Sequence, residues 1–173
     1  MDSLGLGYDE LRRINPKLVM TSITPFGQTG PYSQYKCSDL VAMATSGYMF
    51  VCGDADRPPV RMSFPQAYSH AGTEAAVASL IALYYRNKTG KGQHVDVSIQ
   101  ASVARNLMNA PIWWHVNKVI LQRVGAFRTG LSAAANQRAY WECKDGYVVF
   151  TLFGGAAWAP ANRALTEWMD SEG

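Results

Sequence analysis

Cysteine and histidine are scarce in this chain, with three of each among 173 residues. Cys37, Cys52 and Cys143 are odd in number, widely spaced and form no CxxC pair. That argues against a disulfide framework or a zinc site and fits a reducing compartment. His70, His94 and His115 lack metal-ligand spacing as well, so no metal is expected. No signal peptide is apparent. The longest apolar stretch is interrupted by Ser79 and relies on alanine, which argues against a membrane span. The expected location is the cytoplasm.

Charge runs are missing too. The net charge is only +3, and the densest basic groups, Arg12–Arg13 and Lys88–Lys91, are short. Neither nucleic acid nor a membrane surface is expected as a partner. The mild positive balance still suits an anionic ligand such as a phosphorylated cofactor. What the chain does have is 48% hydrophobic and 17% charged residues. Those fractions describe a globular protein of one domain, or pieces of two.

Patterning places the elements. Tyr8 to Ile14 reads as a short helix stopped by Asn15-Pro16, since the residue before proline avoids helical geometry. Leu18 to Ile23 is apolar and partly β-branched, and reads as a buried strand. The loop TPFGQTGPYSQYK follows, either a ligand loop at a strand's carboxyl end or a plain surface connection. Ser38 is a plausible N-cap for a helix to about Met49.

From Gln66 to Arg86 Val77, Leu80, Ile81 and Tyr84 recur at helical steps. Ala67, Ala71, Ala75 and Ala76, with Gly72, thin the first half of that helix. They permit close approach by a ligand or, more commonly, tight helix packing. Gly90 ends the helix, and Gln93 to Gln100 alternates as a strand. The GKG between them follows a helix and precedes a strand, the reverse of a phosphate-binding P-loop. Ala101 to Lys118 reads as another helix. A Lys144-Asp145-Gly146 turn then separates two strand-like runs, Arg138 to Cys143 and Tyr147 to Phe153. Pro160 to Met169 reads as a last helix. The fold class is α/β, opening as a layered domain and ending in a smaller unit.

The stretch PQAYSHAGTE holds serine, histidine and glutamate within six residues. On a helix, Ser69 and His70 point about 100° apart, and only His70 and Glu74 share a face. No GxSxG elbow surrounds Ser69 either, so a local hydrolytic triad is rejected.

Taken together, INPKLVMTSITPFGQTGPY, SDLVAMATSGYM, DRPPVRM and above all NKTGKGQHVDVSIQASV resemble the class III CoA-transferase family. That group includes formyl-CoA transferase, carnitine CoA-transferase and alpha-methylacyl-CoA racemase. The resemblance runs from about Leu4 to Tyr147 or beyond, nearly the whole chain. It implies a Rossmann-like large domain covering residues 1–100, a connecting helix over 101–122, and the start of a small α+β domain over 123–173. It also implies that the chain is truncated at both ends, an internal part of a roughly twice longer protein. The family's subunits thread through each other, so an intertwined dimer is expected, homo- or hetero-oligomeric.

The same resemblance implies coenzyme A and acyl-CoA as substrates, with a carboxylic acid as the second partner. In the family an aspartate carboxylate attacks the thioester to give a mixed anhydride, and the released thiolate then forms an enzyme-bound thioester. Counting back from TGKGQ, the matching position is Tyr68. A phenol, mostly un-ionised at neutral pH, cannot form that anhydride.

Asp39 falls where the family carries an acidic residue beside the reacting thioester, and can serve acid–base chemistry or cap a helix. Lys36 falls on a position that contacts CoA phosphate in some members, although a solvated surface role is the plain alternative. The small-domain loop that is glycine-rich in formyl-CoA transferase reads Ser132 to Gln137 here, with alanine in place of glycine. His94 and Asp96 belong to the signature and are read as structural, and Trp113 and Trp114 as packing. Three functions follow as expectations. The first is CoA transfer, and the second a non-catalytic subunit beside an aspartate-bearing paralogue. The third is racemisation or isomerisation of an acyl-CoA.

Overall fold

The computed structural model describes residues 1–128 and 137–173 of a mixed α/β chain. It divides into two compact units, Met1–Arg123 and Val124–Gly173.

The first unit opens with helix α1 (Tyr8–Ile14) and strand β1 (Val19–Thr24), followed by helices α2 (Asp39–Thr45) and α3 (Ala67–Thr89). Strand β2 (Gln93–Ser98) runs parallel to β1, pairing Val19 with Gln93 through to Thr24 with Ser98. Parallel neighbours need a long crossover, and α2 and α3 supply it. The alternation expected of QHVDVS sets the layers. On one face, Thr21 Oγ1 lies 2.6 Å from Ser79 Oγ of α3. On the other, the His94 ring stacks on Tyr8 of α1 with centroids 4.9 Å apart. Helices therefore cover both sides of the pair.

The core joins Ala42 and Met43 of α2, Ala67, Ala71 and Ala75 of α3, Val97, and Ile99 and Val103 of α4 (Ile99–Ala104). The i, i+4 alanines let the helix backbone approach its neighbours closely, so tight packing explains them. The larger apolar stripe of α3, Val77, Leu80, Ile81 and Tyr84, is exposed instead. Periodicity located the helix, and the alanines marked its packed face.

Several boundaries differ from the expectations. The strand is only half-buried, with Ile23 exposed, because β1 has a single strand neighbour among the described residues. Helix α2 stops at Thr45 rather than Met49, since Gly47 takes a left-handed backbone (φ 82). Ile99 and Gln100 start α4 rather than end β2, and Ser98 caps that helix by accepting from the Ala101 N–H at 3.3 Å.

No continuous helix spans 101–118. After α4 come a 3-10 turn, the short helix α5 (Asn109–Ile112) and a wide π turn ending at Lys118 (φ 53). Pro111 has no N–H to continue an α ladder, which accounts for the interruption. At the other junction, the Gly92 N–H bonds the Pro16 carbonyl at 2.9 Å. A β-carbon on Gly92 would overlap the Leu18 backbone, so that position admits only glycine.

The second unit holds a short pair, β3 (Phe127–Arg128) with β4 (Gln137–Arg138), and a hairpin, β5 (Tyr140–Cys143) with β6 (Gly146–Val149). Cys143 pairs with Gly146, so the turn residues are Lys144 and Asp145. Helix α6 (Ala159–Glu172) follows, with Pro160 in its first turn, where a missing N–H costs nothing. Of the alanine-rich loop Ser132 to Gln137, all but Gln137 lies outside the described residues.

Candidate functional site

The site is built where the loop after β1 meets the starts of α2 and α3. Its first anchor is the polar face of β2. Asp96 Oδ2 accepts from the Gln28 backbone N–H at 2.9 Å. His94 Nε2 lies 3.0 Å from the Gln28 amide nitrogen and 2.9 Å from Ser22 Oγ. An amide nitrogen only donates, so His94 Nε2 is the acceptor of the Gln28 bond. The Gln100 N–H bonds the Pro25 carbonyl at 3.0 Å. Gly27, at φ +87, is buried between these contacts.

The second anchor is the start of α2. The Ser38 hydroxyl accepts from the Val41 N–H at 3.4 Å, as the N-cap expectation required. Asp39 is buried (6% exposed), and its Oδ1 accepts from the Ala67 N–H at 2.8 Å. Ala67 is the first residue of α3, whose own N-cap residue, Gln66, makes no side-chain cap. Asp39 therefore caps the neighbouring helix across a gap of 28 positions, not its own. The carboxylate satisfies a free N–H and sits where the helix dipole favours negative charge.

Tyr68 follows Ala67 and is 51% exposed. The fold thus brings Asp39 and Tyr68 to one place, the N-terminus of α3. Lys36, three residues before Asp39, is exposed. Between them, burial pushes the Cys37 thiol above its ordinary value, with a backbone contact at Ala42 opposing and Asp39 adding to the rise. Burial likewise raises Cys52. Glu74 does not turn toward Tyr68. It forms an ion pair with Arg105, which sequence patterning had not signalled. A cleft of about 330 Å³, lined in part by Tyr8, Asp9, Glu10, Ser22, Gln28 and His94, includes none of Lys36, Asp39 and Tyr68.

Among the described residues no group of histidine, cysteine or carboxylate side chains is arranged to hold a metal. No helix there is long and apolar enough to cross a membrane.

Known proteins give this arrangement its context. Over all of this chain and 40% of its own length, the BbsE subunit of succinyl-CoA:(R)-benzylsuccinate CoA-transferase from Thauera aromatica is 40% identical. Acetyl-CoA:oxalate CoA-transferase of Acetobacter aceti is 37% identical over 72% of this chain and 32% of its own. The crystal structure of a CAIB/BAIF family protein from Brucella suis superposes with a TM-score of 0.76 at 28% identity, covering 95% of this chain and 43% of that one. The chain therefore spans about 40% of the length of the relative it matches throughout. The sequence profile of CoA-transferase family III matches residues 1–171, and the chain belongs to that family.

Proposed function

We propose that this chain is part of an acyl-CoA-binding CoA-transferase, which moves CoA between a thioester and a carboxylic acid. Within it, residues 65–74 do not supply the attacking carboxylate. The observation carrying this reading is the half-exposed Tyr68 at the start of α3, where the family resemblance puts the nucleophile. The buried Asp39 beside it holds the Ala67 N–H with its Oδ1. A carboxylate attack needs an oxygen that both adds to the thioester carbonyl and leaves again as a good leaving group. Tyr68 lacks that property, and Glu74 is held by Arg105.

The attacking aspartate then comes from a second, homologous chain in an intertwined hetero-oligomer. That a relative matching this whole chain is named as a subunit favours this second component. Lys36 would meet a CoA phosphate, and Asp39 would hold the start of α3 in register beside the thioester. The accompanying fold reading is a Rossmann-like large domain over 1–100, a connecting segment over 101–122 and a small domain from 123. The parallel β1–β2 pair with helices on both faces supports its first part. The expected compartment is the cytoplasm.

Co-purification and CoA exchange test the reading. The whole protein should exchange CoA only together with an aspartate-bearing homologue, and Tyr68→Asp should confer exchange without it. Exchange by this protein alone through an unaltered Tyr68 site would overturn the reading. Racemisation of an acyl-CoA without exchange would favour acid–base chemistry at Asp39 instead.

A further inference from the structure

We infer that Asp96, assisted by His94, is a positioning residue that fixes loop 25–36 and so sets where Lys36 is presented. Three observations converge on one short segment of that loop. Asp96 Oδ2 accepts from the Gln28 N–H, His94 Nε2 accepts from the Gln28 side-chain amide, and the Gln100 N–H donates to the Pro25 carbonyl. Gly27 is buried between them, and a β-carbon there would stand 3.6 Å from Asp96 Oδ2 on a backbone (φ +87) that other residues resist.

The far end of the loop is pinned by the Ser38 cap and the Asp39–Ala67 bond. Among the described residues, the hydrogen bonds and ring contacts of the span between stay within the loop: a turn at Gly30, Tyr32 packed edge-on to Tyr35 at 5.3 Å, and Phe26 6.0 Å from Tyr32. Its course is therefore decided at its two ends, and Asp96 governs the first. Asp96 and His94 are themselves exposed, so their bonds add little to global stability. That separates a loop-positioning role from a core one.

The part concerning CoA rests on the proposed function, whereas the part concerning the loop does not, and the test uses both. In the whole protein, Asp96→Ala should speed amide hydrogen exchange across residues 27–36 by about tenfold while the melting temperature stays put. Asp96→Asn, which keeps an oxygen acceptor, should restore protection; Asp96→Ser replaces the alanine variant if that variant fails to fold. CoA affinity, measured by calorimetry, should fall about fivefold in Asp96→Ala, and the loss should vanish in a Lys36→Ala background. Unchanged exchange across 27–36 would overturn the positioning role. Losses that simply add would overturn its action through Lys36. No effect of Lys36→Ala alone would count against the proposed function and leave the loop result standing.

Discussion

Asp39 Oδ1 accepts the Ala67 N–H at 2.8 Å, so the start of α2 caps the start of α3. This one bond ties the loop bearing Lys36 to the helix bearing Tyr68. Because Asp39 is buried, its removal leaves an N–H with neither partner nor water. Asp39→Ala should destabilise the protein by about 1–3 kcal/mol in urea denaturation, and Asp39→Asn, which retains an acceptor, by less than about 1 kcal/mol. Equal losses in the two variants would mean that the carboxylate's charge, rather than the hydrogen bond, is what the site uses.

Two glycines give opposite expectations. Gly92→Ala drives a β-carbon into the Leu18 backbone and should cost at least about 3 kcal/mol or prevent folding. Gly72, inside α3 with open space around it, should tolerate alanine and gain about 0.5–1 kcal/mol from helix propensity. Thermal melts of both variants check the pair.

The thiols should react in an order set by burial. Cys143 is exposed, whereas Cys37 and Cys52 are half-buried with raised pKa values. At neutral pH the latter two are thiols rather than thiolates, so iodoacetamide should label Cys143 first. Labelling of Cys37 and Cys52 should accelerate only as the pH climbs past the ordinary thiol value of 9.0. The sign for stability is the same. A folded-state pKa raised by burial stabilises below that value, and the contribution is lost as pH rises through the folded pKa. Peptide mapping across a pH series follows both residues.

Glu74 should matter little. Its ion pair with Arg105 is largely exposed on the arginine side, so Glu74→Gln should shift stability by less than about 1 kcal/mol. Exchange activity of the whole assembly should stay within about twofold. A collapse of activity in a folded Glu74→Gln protein would make Glu74 a participant after all.

The helices and strands of the first unit were legible because their signals are local. Asn15-Pro16 stops α1, Ser38 starts α2, Gly90 ends α3 at φ 74, and alternation in QHVDVS sorts the two faces of β2. The packed face of α3 was legible in its alanines, whereas the exposure of its larger apolar stripe was not. Lys36, Asp39 and Tyr68 came from the family resemblance, not from patterning. The Asp39–Ala67 and Asp96–Gln28 bonds span 28 and 68 positions, and no local rule reaches that far. The alternating polar residues of β2 were the available hint: a polar row opposite a packed face needs partners, and the loop after β1 supplied them.

The proposed function requires that segment 65–74 does not make the attack. The whole protein, assembled with its aspartate-bearing homologue, incubated with acyl-CoA and quenched with hydroxylamine, should be mapped by mass spectrometry. Segment 65–74 and Asp39 should stay unmodified, with the hydroxamate on an aspartate of a second homologous chain. A hydroxamate on Glu74 or Asp39 of this chain would contradict the proposed function.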